Sequence, residues 1–212
     1  MQAVRMLYDI KDKISKSGVS ITQMVEEIKA KEFPNFLTKE ETLNILNFAK
    51  DTDLWGDVGN GFWDGRVINA VTINKNIPDL GFFLNNVKER ILKTAKESYG
   101  IETEIYSDIL ALTRWFPGME QTPHSDNMEN TPDHHNHQHR EYGIVIYLNN
   151  DFEGGITFYP QHNFSVTPEP GKLAIHPATT DHMHGVTKIE GAIRYTLTSF
   201  LTFDKSRKMQ DF

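Results

Sequence analysis

At 212 residues, 38% of them hydrophobic and 24% charged, the chain is long enough for one domain with a sizeable core. Its 22 basic and 29 acidic side chains give a net charge of −7, which disfavours sequence-independent binding to nucleic acid or to an anionic membrane. The absence of Cys excludes disulfides, thiolate metal sites and cysteine nucleophiles.

The opening segment mixes Arg5, Asp9, Lys11, Asp12 and Lys13 with apolar residues and lacks the apolar centre of a secretory signal. No apolar run approaches the ~18 residues of a spanning helix, so the expectation is a cytoplasmic protein without a membrane partner. Residues 3–15 and 21–31 space their apolar side chains by three and four, predicting weakly amphipathic helices. Thr38 opens a clearer helix, because Glu41 completes a capping box; Leu43, Ile45, Leu46 and Phe48 are predicted to share its buried face. Residues 54–66 (LWGDVGNGFWDGR) hold four Gly and two Trp, a loop that either covers a site or tucks its Trp into the core. A further helix is predicted over 78–99, with Leu80, Phe83, Leu84, Val87, Ile91 and Leu92 on one stripe.

From residue 102 the pattern changes to short apolar or alternating runs broken by Gly, Pro and Asn: 109–115, 144–148, 156–159, 173–176 and 193–203. These predict a mainly β domain, barrel or sandwich, beside the preceding helices. Residues 128–140 (MENTPDHHNHQHR) read as a polar loop. Its His134, His135, His137 and His139 are read as solvated, since a flexible loop loses entropy on capturing a metal.

His124-Ser125-Asp126 carries the first chemical signal. In an extended segment residues i and i+2 face the same way, so an imidazole and a carboxylate can take adjacent positions on a divalent metal. Chance alone supplies about 0.6 His-x-Asp triplets in such a chain, so the motif is weak by itself. A second His would complete a facial set with three open positions, as in non-haem Fe(II) sites. His182 and His184 are both available, just ahead of the strand that begins near Arg194. Alternation places Arg194, Thr196, Thr198 and Phe200 on one face of that strand. A guanidinium facing a barrel interior requires an anion, either a protein carboxylate or a dicarboxylic ligand gripped through two hydrogen bonds.

Several further segments fall in one order: Arg114-Trp115-Phe116-Pro117-Gly118 leading to Pro123-His124-Ser125-Asp126; Tyr147-Leu148-Asn149; Gly154-Gly155-Ile156-Thr157-Phe158-Tyr159-Pro160; VTPEPGKLAI over 166–175; and His184 ten residues before Arg194. Together they resemble the Fe(II)/2-oxoglutarate-dependent oxygenases, most closely the prolyl 4-hydroxylase group, over residues 110–203. The resemblance implies an α+β fold, mainly β: a double-stranded β-helix, or jelly roll, with N-terminal helices packed on it. Residues 1–212 would form one oxygenase domain, helical over 1–100 and jelly roll over 101–212. It further implies that His124, Asp126 and His184 bind Fe(II), the spacing to Arg194 favouring His184 over His182. Arg194, helped by Thr157 and Tyr147, would hold the distal carboxylate of 2-oxoglutarate. O2 would be the other co-substrate and ascorbate an accessory reductant. The implied reaction hydroxylates a prolyl residue in a peptide or protein partner, releasing succinate and CO2.

The departures fall on the substrate side. Trp115 stands where many prolyl 4-hydroxylases place a Tyr that touches the co-substrate, and Gln121 replaces another family Tyr. Phe200-Leu201-Thr202 replaces a Trp-x-His, whereas Arg140 matches an Arg implicated in substrate binding. Trp115 is therefore assigned to the co-substrate side, and Gln121 and Arg140 to the substrate side. Asp126 argues for hydroxylation over halogenation, which needs a small residue there. A different amino-acid residue or a small molecule is the alternative substrate. A nucleic-acid dealkylase would resemble its relatives in a second Arg where Phe200 stands, and a non-enzymatic jelly-roll module would have lost a ligand or Arg194.

Overall fold

Thr38 holds extended backbone and accepts the Glu41 amide at 3.1 Å, while the Glu41 carboxylate accepts the Thr38 amide at 2.8 Å. This reciprocal cap starts α1, Lys39–Asp51, as the capping box predicts. The buried face of α1 consists of Thr42, Ile45, Leu46 and Ala49. Leu43 corrects the predicted stripe: it is exposed, lying one residue off the i, i+3, i+4, i+7 row that faces the core. In the computed structural model the described residues are 29–59, 61–127 and 137–212. The helix predicted over 3–15, most of that over 21–31, and His134 and His135 lie outside them.

The helix predicted over 78–99 is α3, Pro78–Tyr99, opened by Pro at its first turn and closed by Gly100 with φ 60°. A short helix, α2 (Ala70–Asn76), precedes it; the Asn69 side chain caps α2 by accepting from the Val71 amide at 2.9 Å. Helical residues Ile45, Ile73, Leu84, Val87 and Ile91 join sheet residues Leu110, Leu112, Ile144, Ile146, Leu173, Ile175 and Leu197 in one core. That core lies on the helix-covered face of a six-stranded antiparallel sheet.

In spatial order the strands of that sheet are β1 (Lys31–Phe33), β9 (Leu173–Pro177), β5 (Arg140–Tyr147), β12 (Arg194–Thr202), β3 (Tyr106–Trp115) and β2 (Val67–Asn69). A four-stranded sheet faces it, in the order β4 (Gln121–His124), β10 (His184–Val186), β7 (Thr157–Tyr159) and β8 (Phe164–Val166). β6 (Glu153–Gly154) and β11 (Ile189–Glu190) form a small ribbon. Two facing antiparallel sheets with helices outside make the jelly roll that the resemblance implies. The part read as helical also supplies β1 and β2 to the larger sheet.

Period-two alternation sorts the central strands cleanly. Leu110, Leu112, Ile144, Ile146 and Leu197 turn to the helices. Trp115 with Arg194, Thr113 with Thr196, and Gly143 with Phe200 are cross-strand pairs on the opposite, interior face. The same alternation explains why both faces of β12 are buried: one packs on helices, and the other lines the interior.

Residues 54–66 divide between the two roles read from the sequence. Trp55 packs against the helical core and donates to the Ala49 carbonyl at 3.0 Å. Trp63 instead packs edge-on against Trp115, and Phe62 is exposed. The Arg66 guanidinium lies buried among the rings of Phe62, Trp63 and Trp115, 4.3 to 4.7 Å from their centroids.

Candidate metal and co-substrate site

His124, at the end of β4, pairs across the sheet with His184, at the start of β10. Their ring centroids are 4.5 Å apart. Asp126 follows two residues beyond His124, and its Oδ1 lies 3.6 Å from His124 Nε2 and 3.7 Å from His184 Nε2. Each His turns Nδ1 to a backbone carbonyl, that of Thr122 at 3.2 Å and that of His182 at 3.3 Å. A carbonyl only accepts, so Nδ1 carries the hydrogen and the Nε2 lone pair points toward Asp126.

Burial and the neighbouring imidazoles push His184 down to about 3, which keeps this ring neutral. Burial alone would raise the Asp126 carboxyl; the adjacent imidazoles of His184, His124 and His176, the last hydrogen-bonded to it, outweigh burial and hold the group well below the usual carboxylate range. Two imidazole nitrogens and one carboxylate oxygen, all within 4.8 Å of one another, are a donor set that fits a divalent transition metal. Among the described residues no other group of three such side chains converges in this way. His182 turns elsewhere, its Nδ1 3.2 Å from Thr179 Oγ1 and its ring stacked on His162.

Sequence reasoning missed what stands behind Asp126. Its Oδ2 accepts from His176 Nε2 at 2.9 Å, and His176 Nδ1 lies 3.0 Å from the Tyr159 hydroxyl. Burial pushes the Tyr159 phenol up, so it keeps its proton. On the adjacent β5, a Cβ at Gly143 would come within 2.3 Å of both Asp126 Oδ2 and His176 Nε2. The signal was present in His176, a polar residue ending a predicted apolar strand.

At the other end of the interior, Arg194 is 2% exposed. Its Nε donates to the Gly155 carbonyl at 3.1 Å, and its Nη2 reaches Thr157 Oγ1 at 3.5 Å. Thr157 Oγ1 is 2.7 Å from the Tyr147 hydroxyl. The guanidinium faces the rings of Tyr147 and Trp115 at 5.2 and 5.8 Å. Among the described residues no carboxylate forms an ion pair with it. A buried cation so placed fits an incoming carboxylate.

The remaining sequence-assigned residues lie apart from one another. Trp115 is the cross-strand partner of Arg194 and forms a wall of that end. Gln121 sits at the metal cluster, its amide donating to His124 Nε2 at 3.2 Å. Arg140 is engaged inside the protein: its Nε lies 3.2 Å from Asp108 Oδ2, and its guanidinium stacks on Phe200. His139 shares the same carboxylate oxygen at 3.0 Å.

Residues 110–202 match the family model described as the 2OG-Fe(II) oxygenase superfamily, a span that contains both the His-Asp-His cluster and Arg194. Solved structures with the same fold include an oxidoreductase of the 2OG-Fe(II) oxygenase family from Burkholderia pseudomallei, at TM-score 0.62 and 15% identity, covering 89% of this chain and 92% of that one. The viral collagen prolyl hydroxylase of Paramecium bursaria Chlorella virus-1, in its 2OG complex, superposes at TM-score 0.58 and 14% identity over 84% of this chain and 97% of that one. A Pseudomonas putida prolyl-4-hydroxylase follows at TM-score 0.52 and 14% identity, over 92% and 98%. A search of curated proteins gives no match. The His124, Asp126 and His184 cluster could hold a metal ion, and the described residues include no helix long and apolar enough to cross a membrane.

Proposed function

We propose that the chain is a 2OG-Fe(II) oxygenase that hydroxylates a prolyl residue in a peptide or protein, residues 1–212 acting as one domain. In this reading His124, Asp126 and His184 hold Fe(II), and Arg194, Thr157 and Tyr147 hold the distal carboxylate of 2-oxoglutarate. One observation carries it: a cluster of two imidazoles and a carboxylate shares one interior with a buried guanidinium that, among the described residues, has no carboxylate paired with it. Iron with its bound co-substrate supplies the oxidising chemistry, consuming O2 and releasing succinate and CO2 as a substrate C–H bond becomes C–OH.

The protein's share is positioning. His124 and His184 keep Nε2 unprotonated because backbone carbonyls fix their tautomers, and a metal at His124 would displace the Gln121 amide from that nitrogen. Asp126 offsets one unit of metal charge. Arg194 and the Thr157–Tyr147 hydroxyl pair orient the co-substrate from its far end, and Trp115 keeps water from that end. Gly143→Ala is expected to weaken metal binding by about 10- to 100-fold, because the added methyl displaces Asp126 or His176; a metal titration read against 2-oxoglutarate turnover checks it.

The prolyl substrate draws support from the viral collagen prolyl hydroxylase and the prolyl-4-hydroxylase that share the fold. Mass spectrometry of proline-containing peptides incubated with enzyme, Fe(II) and 2-oxoglutarate is expected to show the gain of one oxygen on proline, with stoichiometric succinate. Co-substrate turnover without any hydroxylated peptide across a broad panel counts against proline alone. The second reading, the same chemistry on another residue or a small molecule, is favoured by Arg140, which is already paired with Asp108.

A further inference from the structure

The two oxygens of Asp126 have different surroundings. Oδ1 faces Nε2 of both His124 and His184, whereas Oδ2 is turned away toward His176. A carboxylate only accepts, so His176 Nε2 donates to it. In a neutral imidazole Nδ1 then accepts, and the Tyr159 hydroxyl donates to it. Both residues are 1% exposed, and Tyr159 lies in an interior cluster with Tyr147, Val166 and Ala174. Apolar side chains could fill the same volume without this hydrogen-bonded chain. The His176 ring also lies 4.1 Å from that of His184, and the Tyr159 ring 5.7 Å from it. Gly143 clears the space in which Asp126 and His176 meet.

We propose that Tyr159 and His176 are positioning residues of the metal centre, which occupy Asp126 Oδ2 so that the carboxylate presents Oδ1 alone. The inference rests on the reading of His124, Asp126 and His184 as iron ligands and adds how many atoms Asp126 contributes. A terminal carboxylate torsion is soft and roughly two-fold. Released from His176, Asp126 can rotate and offer both oxygens, taking a coordination position that the co-substrate or O2 requires. The pair therefore protects the number of open positions as well as the affinity for metal.

The test uses the full chain under anaerobic conditions with Co(II) as a spectroscopic stand-in, comparing wild type with Tyr159→Phe, His176→Gln and His176→Phe. His176→Phe is expected to lose about 10- to 100-fold in Co(II) affinity and to shift the visible ligand-field band. Tyr159→Phe, which removes only a hydroxyl, loses about 3- to 10-fold with a smaller shift of the same band. His176→Gln, whose amide can donate to Oδ2, recovers most of the affinity. Circular dichroism confirms the fold of each variant, and Tyr159→Phe carries the test if His176→Phe does not fold. A folded His176→Phe protein or, if that variant does not fold, a folded Tyr159→Phe protein in which both Co(II) affinity and band match wild type, beside a wild type that binds and an Asp126→Ala that does not, overturns this proposal alone. A wild type that binds no Co(II), or binds it no better than Asp126→Ala, overturns the ligand assignment and this proposal together.

Discussion

An Asp126→Ala enzyme is expected to lose 2-oxoglutarate decarboxylation by more than about 100-fold, exceeding the effect of disturbing a supporting residue. Two losses act together. The metal forfeits its one anionic ligand, and His124 and His184 lose the carboxylate between their Nε2 atoms. Succinate release and bound iron, measured on the same preparation, should fall in parallel. Full turnover in a folded Asp126→Ala protein would refute the assignment. The fold itself should survive, because Asp126 lies beyond the end of β4 and makes no ladder hydrogen bond. The His176 donor then faces a cavity, so a modest fall in melting temperature accompanies the change.

Arg194→Met should separate the two ends of the cavity. The expected result is a rise of about 30-fold or more in the KM for 2-oxoglutarate, the scale of losing one partner of a buried, hydrogen-bonded charge pair. Metal affinity should be unchanged. Arg194→Lys should recover part of the loss, since an ammonium supplies charge but not the planar fork. The stability of the free protein provides a second check. A buried guanidinium without an anion is unfavourable, so the Met variant should melt no lower than wild type, while the stabilisation conferred by added 2-oxoglutarate disappears. A Met variant with wild-type KM would place the co-substrate carboxylate elsewhere.

The sequence disclosed the elements that carry long periodic signals. Residues 78–99 show a repeated apolar stripe, and α3 has those bounds; Thr38 and Glu41 form the cap that their spacing announces. The paired inward and outward rows of β12 were equally legible, and so was the placing of Arg194 on the interior row. Strands of two to four residues, such as β1, β2 and β10, hold too few positions for alternation to register, and tertiary pairing alone defines them. The His124–Asp126 spacing pointed to a metal site, but the choice of His184 over His182 became geometric only when β10 laid His184 opposite His124. His176, Tyr159 and Gly143 escaped notice because their role depends on contacts between β5, β7, β9 and the segment after β4. Arg140 shows the reverse: a match in the sequence whose side chain the fold commits to Asp108 and Phe200.

The short strand β10 has a metrical consequence. His184 stands at one end and Val186, paired with Thr157, at the other, with the Thr157 hydroxyl turned to Arg194. Two residues of extended chain measure about 7 Å. On the proposed reading β10 is a gauge: it spaces His184 from the Thr157 and Arg194 end by two residues, so diacids shorter or longer than 2-oxoglutarate are expected to be poor co-substrates.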